Sequence, residues 1–458
     1  MRNHIFAIRH DAPAALPIPH KETSEITCAP SPTPRWRARL KPGETTQTSA
    51  RARHRAVERR ALPTTSCGGA RDWASLGGDG PTGLIAELVL ASSLHDYVRF
   101  RAVCRSWRRC SPDPRAAGGM DGRFLPRHWI MLDKAADAAS RRHRFLNVST
   151  GECVHTDLPE LADHTLLALT PEGLLLLLHE PTLAVRLLNP LTHQLTDLPP
   201  VTELLTEVEQ RAWRSGERPL KDILQVTSAG LADDASIVAV LFRWPTALAV
   251  ARPGDERWTE VDDGFMDSTL ACAGRFYCVI RGSVMVLDAR RRQHPRLRLV
   301  ATEQRDKSFR YSRASHSLHL VDNGGGELLL VRLTPGQDSG TRGAKKYRRK
   351  CKVFKVDLDA GKLAPAKGLR GRAVFMGLAR TVSVSAGAFP SVAADTVYLG
   401  YDCAEKTGAD EIDGYNVSHG SSKPIYNDSC HEMVEVQPWS AVDRLSYCIK
   451  GNGEHLVA

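Results

Sequence analysis

The sequence predicts a mainly β chain: a C-terminal β-propeller over about residues 125–450, preceded by a short all-α module at 72–115 and a disordered basic, Pro/Arg-rich tail at 1–70. Three observations carry that reading. The first 70 residues mix proline, threonine, serine and arginine without hydrophobic periodicity. From about 72 to 115 apolar residues fall at helical spacing, and beyond 125 they fall in short strand-like runs around a recurring turn.

The tail cannot bury enough apolar surface to offset its chain entropy, so disorder is expected there. It holds 12 Lys or Arg against 5 Asp or Glu, which is +7 of the chain's net +10, and leaves the body nearly neutral. A solvated arm, a nuclear or nucleic-acid role for "ARARHRAVERR" and an organelle address are the three readings of that charge. No apolar run reaches the roughly 18 residues a membrane helix needs, and the N-terminus lacks an apolar signal core. A cytoplasmic and/or nuclear protein with no membrane partner is expected. The 11 cysteines are scattered with no CxxC pair, which predicts reduced thiols. The sequons at Asn147, Asn416 and Asn427 then read as turn chemistry.

In "DYVRFRAVCRSWRRC", residues 96–110, Phe100, Val103, Cys104 and Trp107 fall at i, i+3, i+4 and i+7. That spacing predicts one helical stripe, with Arg101, Arg105, Arg108 and Arg109 mostly on the wet side and Cys104 a buried structural thiol. Leu84, Ile85 and Leu88 predict a second helix, with Ser92-Ser93 and His95-Asp96 as connection and cap. Two or three short helices make a very small core, so the module needs a partner or a neighbouring domain.

Beyond residue 125, "RFLNVSTGECVHTDLP" and "RLLNPLTHQLTDLPP" look like copies of one unit, and the pattern returns more loosely in "VMVLDARRRQH", "VFKVDLDAGKL" and "GYNVSHGSS". The strand ends at Asn147, Asn189, Asp288, Asp357 and Asn416, and glycine follows four residues later at Gly151, Gly361 and Gly420. Asx opens a type I turn and glycine takes the positive φ that returns the chain antiparallel, so each copy is a hairpin. "HTLLALTPEGLLLLLHE" reads as two strands split at Thr170–Gly173, Arg281-Gly282-Ser283 as a tighter hairpin, and "DNGGGELLLVRL" as a glycine-rich turn into a strand. The 42 residues from Asn147 to Asn189 are near a propeller blade's length. A β-sandwich or two β-domains is the alternative, and hairpin repetition over about 300 residues favours closure, which hides strand edges. "RGAKKYRRKCK", 342–352, reads as an exposed inter-strand loop.

The segment from "DWASL" through "LIAELVLASSLHDYVRFRAVCRSWRRCSPDPR" resembles the F-box of a plant family in which that module precedes a KIB-type β-propeller. "RWTEVDD", "GRFYCVIRGSVMVLD", "GGGELLLVRL", "CKVFKVDLDAGKL" and the stretch around "SVSAGAFP" are similar, in the same order, to stations of that propeller. The resemblance covers about residues 72–420. It implies a substrate-receptor subunit of a Skp-cullin-F-box ubiquitin ligase, with Leu84, Ile85, Leu88, Val98, Phe100, Val103 and Trp107 as adaptor-binding residues and the propeller holding a target protein. The arginine-rich stretch then needs no nucleic acid. The chain departs from the pattern where F-boxes open with Leu-Pro: Leu76 is followed by Gly77, Gly78, Asp79, Gly80, Pro81, Thr82 and Gly83. Those residues predict a weakened first helix and favour the alternative of a non-catalytic propeller interaction protein that has lost adaptor binding.

No catalytic constellation stands out. There is no G-x-S-x-G elbow, P-loop or H-E-x-x-H, and no Cys or His pair at metal spacing, so neither cofactor nor metal is expected. His316 and His319 would fall on opposite faces of a strand. "DNGGGE" lacks the helix start that would present amides to a phosphate.

Overall fold

The computed structural model describes residues 81–116, 120–132, 142–289, 294–303, 317–336, 348–377, 380–400, 414–423 and 441–450. The expected tail, the glycines at 77–80, His316 and Asn427 lie outside them.

Three helices come first: α1 (Pro81–Ser92), α2 (Leu94–Val103) and α3 (Arg105–Arg109). Six sheets follow and form a six-bladed propeller. Blade 1 holds β1 (Trp129–Met131), β2 (Arg142–Asn147) and β3 (Cys153–Asp157), and blade 2 holds β4 (Thr165–Leu169), β5 (Leu175–His179), β6 (Ala184–Asn189) and β7 (Gln194–Pro200). Two helices, α4 (Glu207–Arg214) and α5 (Leu220–Ile223), lead to blade 3 with β8 (Gln225–Ala232), β9 (Ile237–Trp244), β10 (Ala247–Ala251) and β11 (Thr259–Asp262). Blade 4 is β12 (Ser268–Cys272), β13 (Arg275–Ile280), β14 (Ser283–Asp288) and β15 (Arg296–Ala301), and blade 5 is β16 (Ser317–Asp322), β17 (Leu328–Gly336), β18 (Arg348–Asp357) and β19 (Lys362–Ala366). Blade 6 has β20 (Arg372–Met376), β21 (Thr381–Ser385), β22 (Thr396–Leu399), β23 (Gly414–Asn416) and β24 (Ser421–Lys423) in the order β21-β20-β22-β23-β24, and α6 (Ala441–Lys450) packs on it. Neighbours pair antiparallel except β20 with β22.

Strand alternation explains how these sheets close. Each central strand is apolar on both faces because it is buried between two blades. Leu174, Leu176 and Leu178 face blade 3, while Leu175 and Leu177 face blade 1. The same split recurs at Val238, Val240 and Phe242 against Ile237, Ala239 and Leu241, and at Leu328 and Leu330 against Leu329, Val331 and Leu333. Every blade junction therefore has its own core. The ring closes through side chains: Ile130, Leu132, Leu146 and Val148 of blade 1 pack on Ala373, Phe375, Val382 and Val384 of blade 6.

The edge strands β4, β8, β12, β16 and β21 touch one another in turn around the axis. Side chains tie them together: the Leu231 amide donates to Glu172 Oε1, the Leu320 amide to Ser268 Oγ, and Thr381 Oγ1 to the Leu320 carbonyl.

The Asx turns at Asn147, Asn189, Asp357 and Asn416 form, and the residues that would complete the turn at Asp288 lie outside the described ones. Asn147, Asp357 and Asn416 each accept a backbone amide two or three residues on, and Gly151, Gly361 and Gly420 take φ of 80°, 65° and 65°. Asn189 makes the same turn with His193 in the glycine's place, at φ 57°. Arg281 and Gly282 turn the β13–β14 hairpin at φ 51° and 81°. One expectation fails. Arg348 to Lys352 of the basic stretch are not loop but the start of β18, paired with β17, with Cys351 buried.

Candidate functional site

The helical module is the site to which the sequence points, and its own chemistry shapes it. Helix α1 starts at Pro81, where a missing N–H costs nothing and the fixed φ suits the first turn. The interior-proline penalty expected for this helix is thus corrected: Pro81 stands at its first position, while Gly83 lies within its twelve residues. Ser93 separates α1 from α2 as an N-cap, its Oγ accepting the Asp96 amide at 3.3 Å.

The single stripe expected over residues 96–110 is broken. Cys104 is extended at φ −156° and ψ 169°, ending α2 and capping α3, its Sγ accepting the Trp107 amide at 3.4 Å. Its thiol is half-buried instead of buried. The turn tilts α3 so that Trp107 still stacks on Phe100, with ring centroids 4.4 Å apart, while Val103 turns outward.

Arg101 is a further correction, since it belongs to the interior and not to the wet side. Its Nη1 donates to the carbonyls of Arg108, Ser111 and Pro112 and to Ser111 Oγ, and its Nη2 lies 3.3 Å from Asp113 Oδ2. Four acceptors converge on this guanidinium because the chain folds back after α3 with carbonyls facing inward. Arg105, Arg108 and Arg109 are exposed, as expected. Tyr97, fully buried beside Arg101, donates its hydroxyl to the Pro112 carbonyl at 2.7 Å, and burial pushes its phenol pKa up.

The module has two sides. Ala86, Leu90, Leu94, Tyr97 and Phe100 join Phe124, Trp129, Phe145, Leu175 and Leu177 in one core, so the helices are docked on blades 1 and 2. The predicted residues divide accordingly. Phe100 is buried, and Val98 and Trp107 are half-buried against that core. Leu84, Ile85, Leu88 and Val103 stand out at 68%, 45%, 72% and 62% exposure. Leu84, Ile85 and Leu88 lie at i, i+1 and i+4, a continuous apolar patch on one side of α1. Sequence reasoning missed Ala86, Leu90 and Tyr97 as the inward face, although Ala86 and Leu90 share the helical period of Leu94 and were readable from it.

Among the described residues no group of three or more His, Cys, Asp or Glu is placed to hold a metal ion, and no helix is long and apolar enough to cross a membrane. The Cys272 and Cys278 thiols are pushed up to about 12, mainly by burial, which makes them poor nucleophiles.

The fold and the docked helices define a six-bladed propeller carrying a helical N-terminal module. The chain belongs to the KIB1-4 beta-propeller family, whose model matches residues 145–427. An Arabidopsis thaliana protein named as an F-box protein is 24% identical to it over 252 residues, which are 53% of this chain and 64% of that relative. The chain thus spans less than two thirds of that relative's length. Among solved structures, the Myceliophteria thermophila Cps50 (Swd1) β-propeller domain matches 65% of this chain and 85% of its own at 11% identity and TM-score 0.28. The N-terminal domain of Nup159 matches 66% and 79% at 8% identity and TM-score 0.28.

Proposed function

We propose that this protein is the substrate-receptor subunit of a Skp-cullin-F-box ubiquitin ligase, acting in the cytoplasm or nucleus. The observation that carries the reading is the exposed patch of Leu84, Ile85 and Leu88, with Val103, on helices whose other side is already buried against the propeller. Internal folding leaves these side chains uncovered, and burying each against a partner is worth about 1.5–3 kcal/mol. A Skp-type adaptor would cover this patch and bring the cullin. The propeller would hold a target protein on its loops, which vary independently of the blades. The chain's part is recognition and positioning, with catalysis supplied by the rest of the ligase. F-box naming of the Arabidopsis relative and membership of the KIB1-4 family support the same reading.

Co-purification with tagged full-length chain tests it. Adaptor and cullin should appear together in the eluate. Recovery of other proteins with neither of them would leave a propeller interaction protein without ligase function.

A further inference from the structure

Blade 5 carries a hairpin that outruns its sheet. Strands β17 and β18 stay in register from Leu329 opposite Lys355 to Gly336 opposite Arg348, whereas the axis-side strand β16 pairs β17 only as far as Leu333 and the rim-side strand β19 pairs β18 only as far as Val353. Thr334, Pro335 and Gly336 with Lys350, Arg349 and Arg348 therefore project about 10 Å beyond the blade, at about 3.4 Å per residue.

The two overhanging edges differ. On β17, Pro335 has no N–H and Gly336 no side chain, so that edge is a poor template for another strand. On β18, Arg348 to Lys352 all carry an N–H, and among the described residues no strand pairs their rim side. Successive residues turn their backbone groups to opposite edges, so about two or three of these residues offer an amide and a carbonyl there. Cys351 and Val353 sit in the core shared with blade 6, which roots the overhang in the fold.

This edge is also basic. Its residues are Arg348, Arg349, Lys350, Cys351 and Lys352, and no acidic residue interrupts β18 before Asp357. Lys352, opposite Arg332 in the register, is exposed. Neighbouring carboxylates are already engaged: Glu303 Oε2 lies 2.7 Å from Arg332 Nη1, and Glu327 Oε1 lies 2.9 Å from Arg370 Nη2 and 3.9 Å from Lys355 Nζ. A basic edge repels a second copy of itself, which is how exposed strands avoid self-association. The same charge selects an acidic strand.

We propose that the rim-side edge of Arg348–Lys352 is where the target protein docks, adding an extended Asp/Glu-rich segment as a strand that continues the line of β19. The identity of that partner as a target rests on the substrate-receptor reading, while the edge itself is a property of blade 5. Nucleic acid also favours basic surfaces, but it has no peptide groups to complete a ladder, so the open edge favours a polypeptide.

Fluorescence anisotropy on the full chain tests the docking, with a labelled peptide of about ten residues alternating Glu and Thr as the probe. Binding should weaken as salt is raised, and Lys350→Glu/Lys352→Glu should weaken it at least about tenfold. The basic tail contributes equally in wild type and double variant, so the difference between them reads the edge alone. The same peptide methylated at every backbone nitrogen keeps its charge but has no donor for a ladder, and should bind the wild type at least about tenfold more weakly. Should the double variant fail to fold, the methylated peptide on the wild type carries the test. Equal affinity for the two peptides would mean attraction by charge alone, and equal affinity of wild type and double variant would mean another site; either overturns the proposal, as does no binding by the wild type. Tighter binding of a labelled oligothymidylate than of the peptide, lost in the double variant, would mark a nucleic-acid surface and overturn it too. A chain that binds adaptor and not the peptide sinks this docking edge, and one that binds the peptide and not adaptor sinks the ligase reading instead.

Discussion

Replacing Arg101 by glutamine removes the guanidinium around which the chain folds back after α3. Four acceptors lie within reach of Nη1: the carbonyls of Arg108, Ser111 and Pro112, and Ser111 Oγ. One guanidinium nitrogen carries two hydrogens, so about two of these bonds are satisfied at a time. At about 1.5 kcal/mol for each charge-assisted bond the loss is about 3 kcal/mol. The Asp113 pair adds little, because that carboxylate is more than half exposed at 53%. Glutamine is too short to span the turn and leaves inward-facing carbonyls unpaired. Hydrogen–deuterium exchange over α2 and α3 reads the result locally, and about 3 kcal/mol corresponds to exchange about a hundredfold faster. Arg105→Gln and Arg109→Gln, both at exposed positions, should cost under about 1 kcal/mol. Equal effects from all three variants would refute the assignment of Arg101 to the interior and restore a uniformly wet arginine face.

Three further outcomes follow from the propeller. Gly173 sits at φ +87°, and a Cβ there would lie 2.1 Å from the Pro126 carbonyl oxygen, so Gly173→Ala should cost about 3 kcal/mol or more in urea unfolding; a change under about 1 kcal/mol would contradict the packing of the β4–β5 turn. The Cys272 and Cys278 pKa values are raised from 9.0 to about 12, so the folded state holds these protons more tightly than the unfolded one; stability should be unaffected below about pH 9 and fall as pH rises toward about 12, and Cys→Ala variants should lose that slope. Separate fragments carrying blades 1–3 and blades 4–6 should show no cooperative melting, because each exposes two uncovered blade faces, and independent melting of either would argue for two domains.

Much of this fold was legible because hairpin chemistry is local. An Asx residue followed four positions later by glycine determines a turn within five residues, and Asn147, Asp357 and Asn416 all behave so. Asn189 shows the limit: His193 takes the positive φ there, a substitution local preference does not announce. The break at Cys104 was hidden for a related reason. No glycine or proline marks it, and Cys104 caps α3 in the setting of carbonyls that converge on Arg101 from ten residues downstream. The seven residues read as one set divide between an exposed and an inward side, because the division depends on which side of α1 blades 1 and 2 cover, a tertiary fact.

Titration of purified Skp-type adaptor into the full chain, wild type against Leu84→Glu/Leu88→Glu, tests the central claim most directly. Both positions are exposed, so the double variant should keep the wild-type melting temperature, while a charged patch should weaken adaptor binding at least about a hundredfold. Wild-type affinity in the double variant, or no measurable adaptor binding by the wild type, would contradict the account.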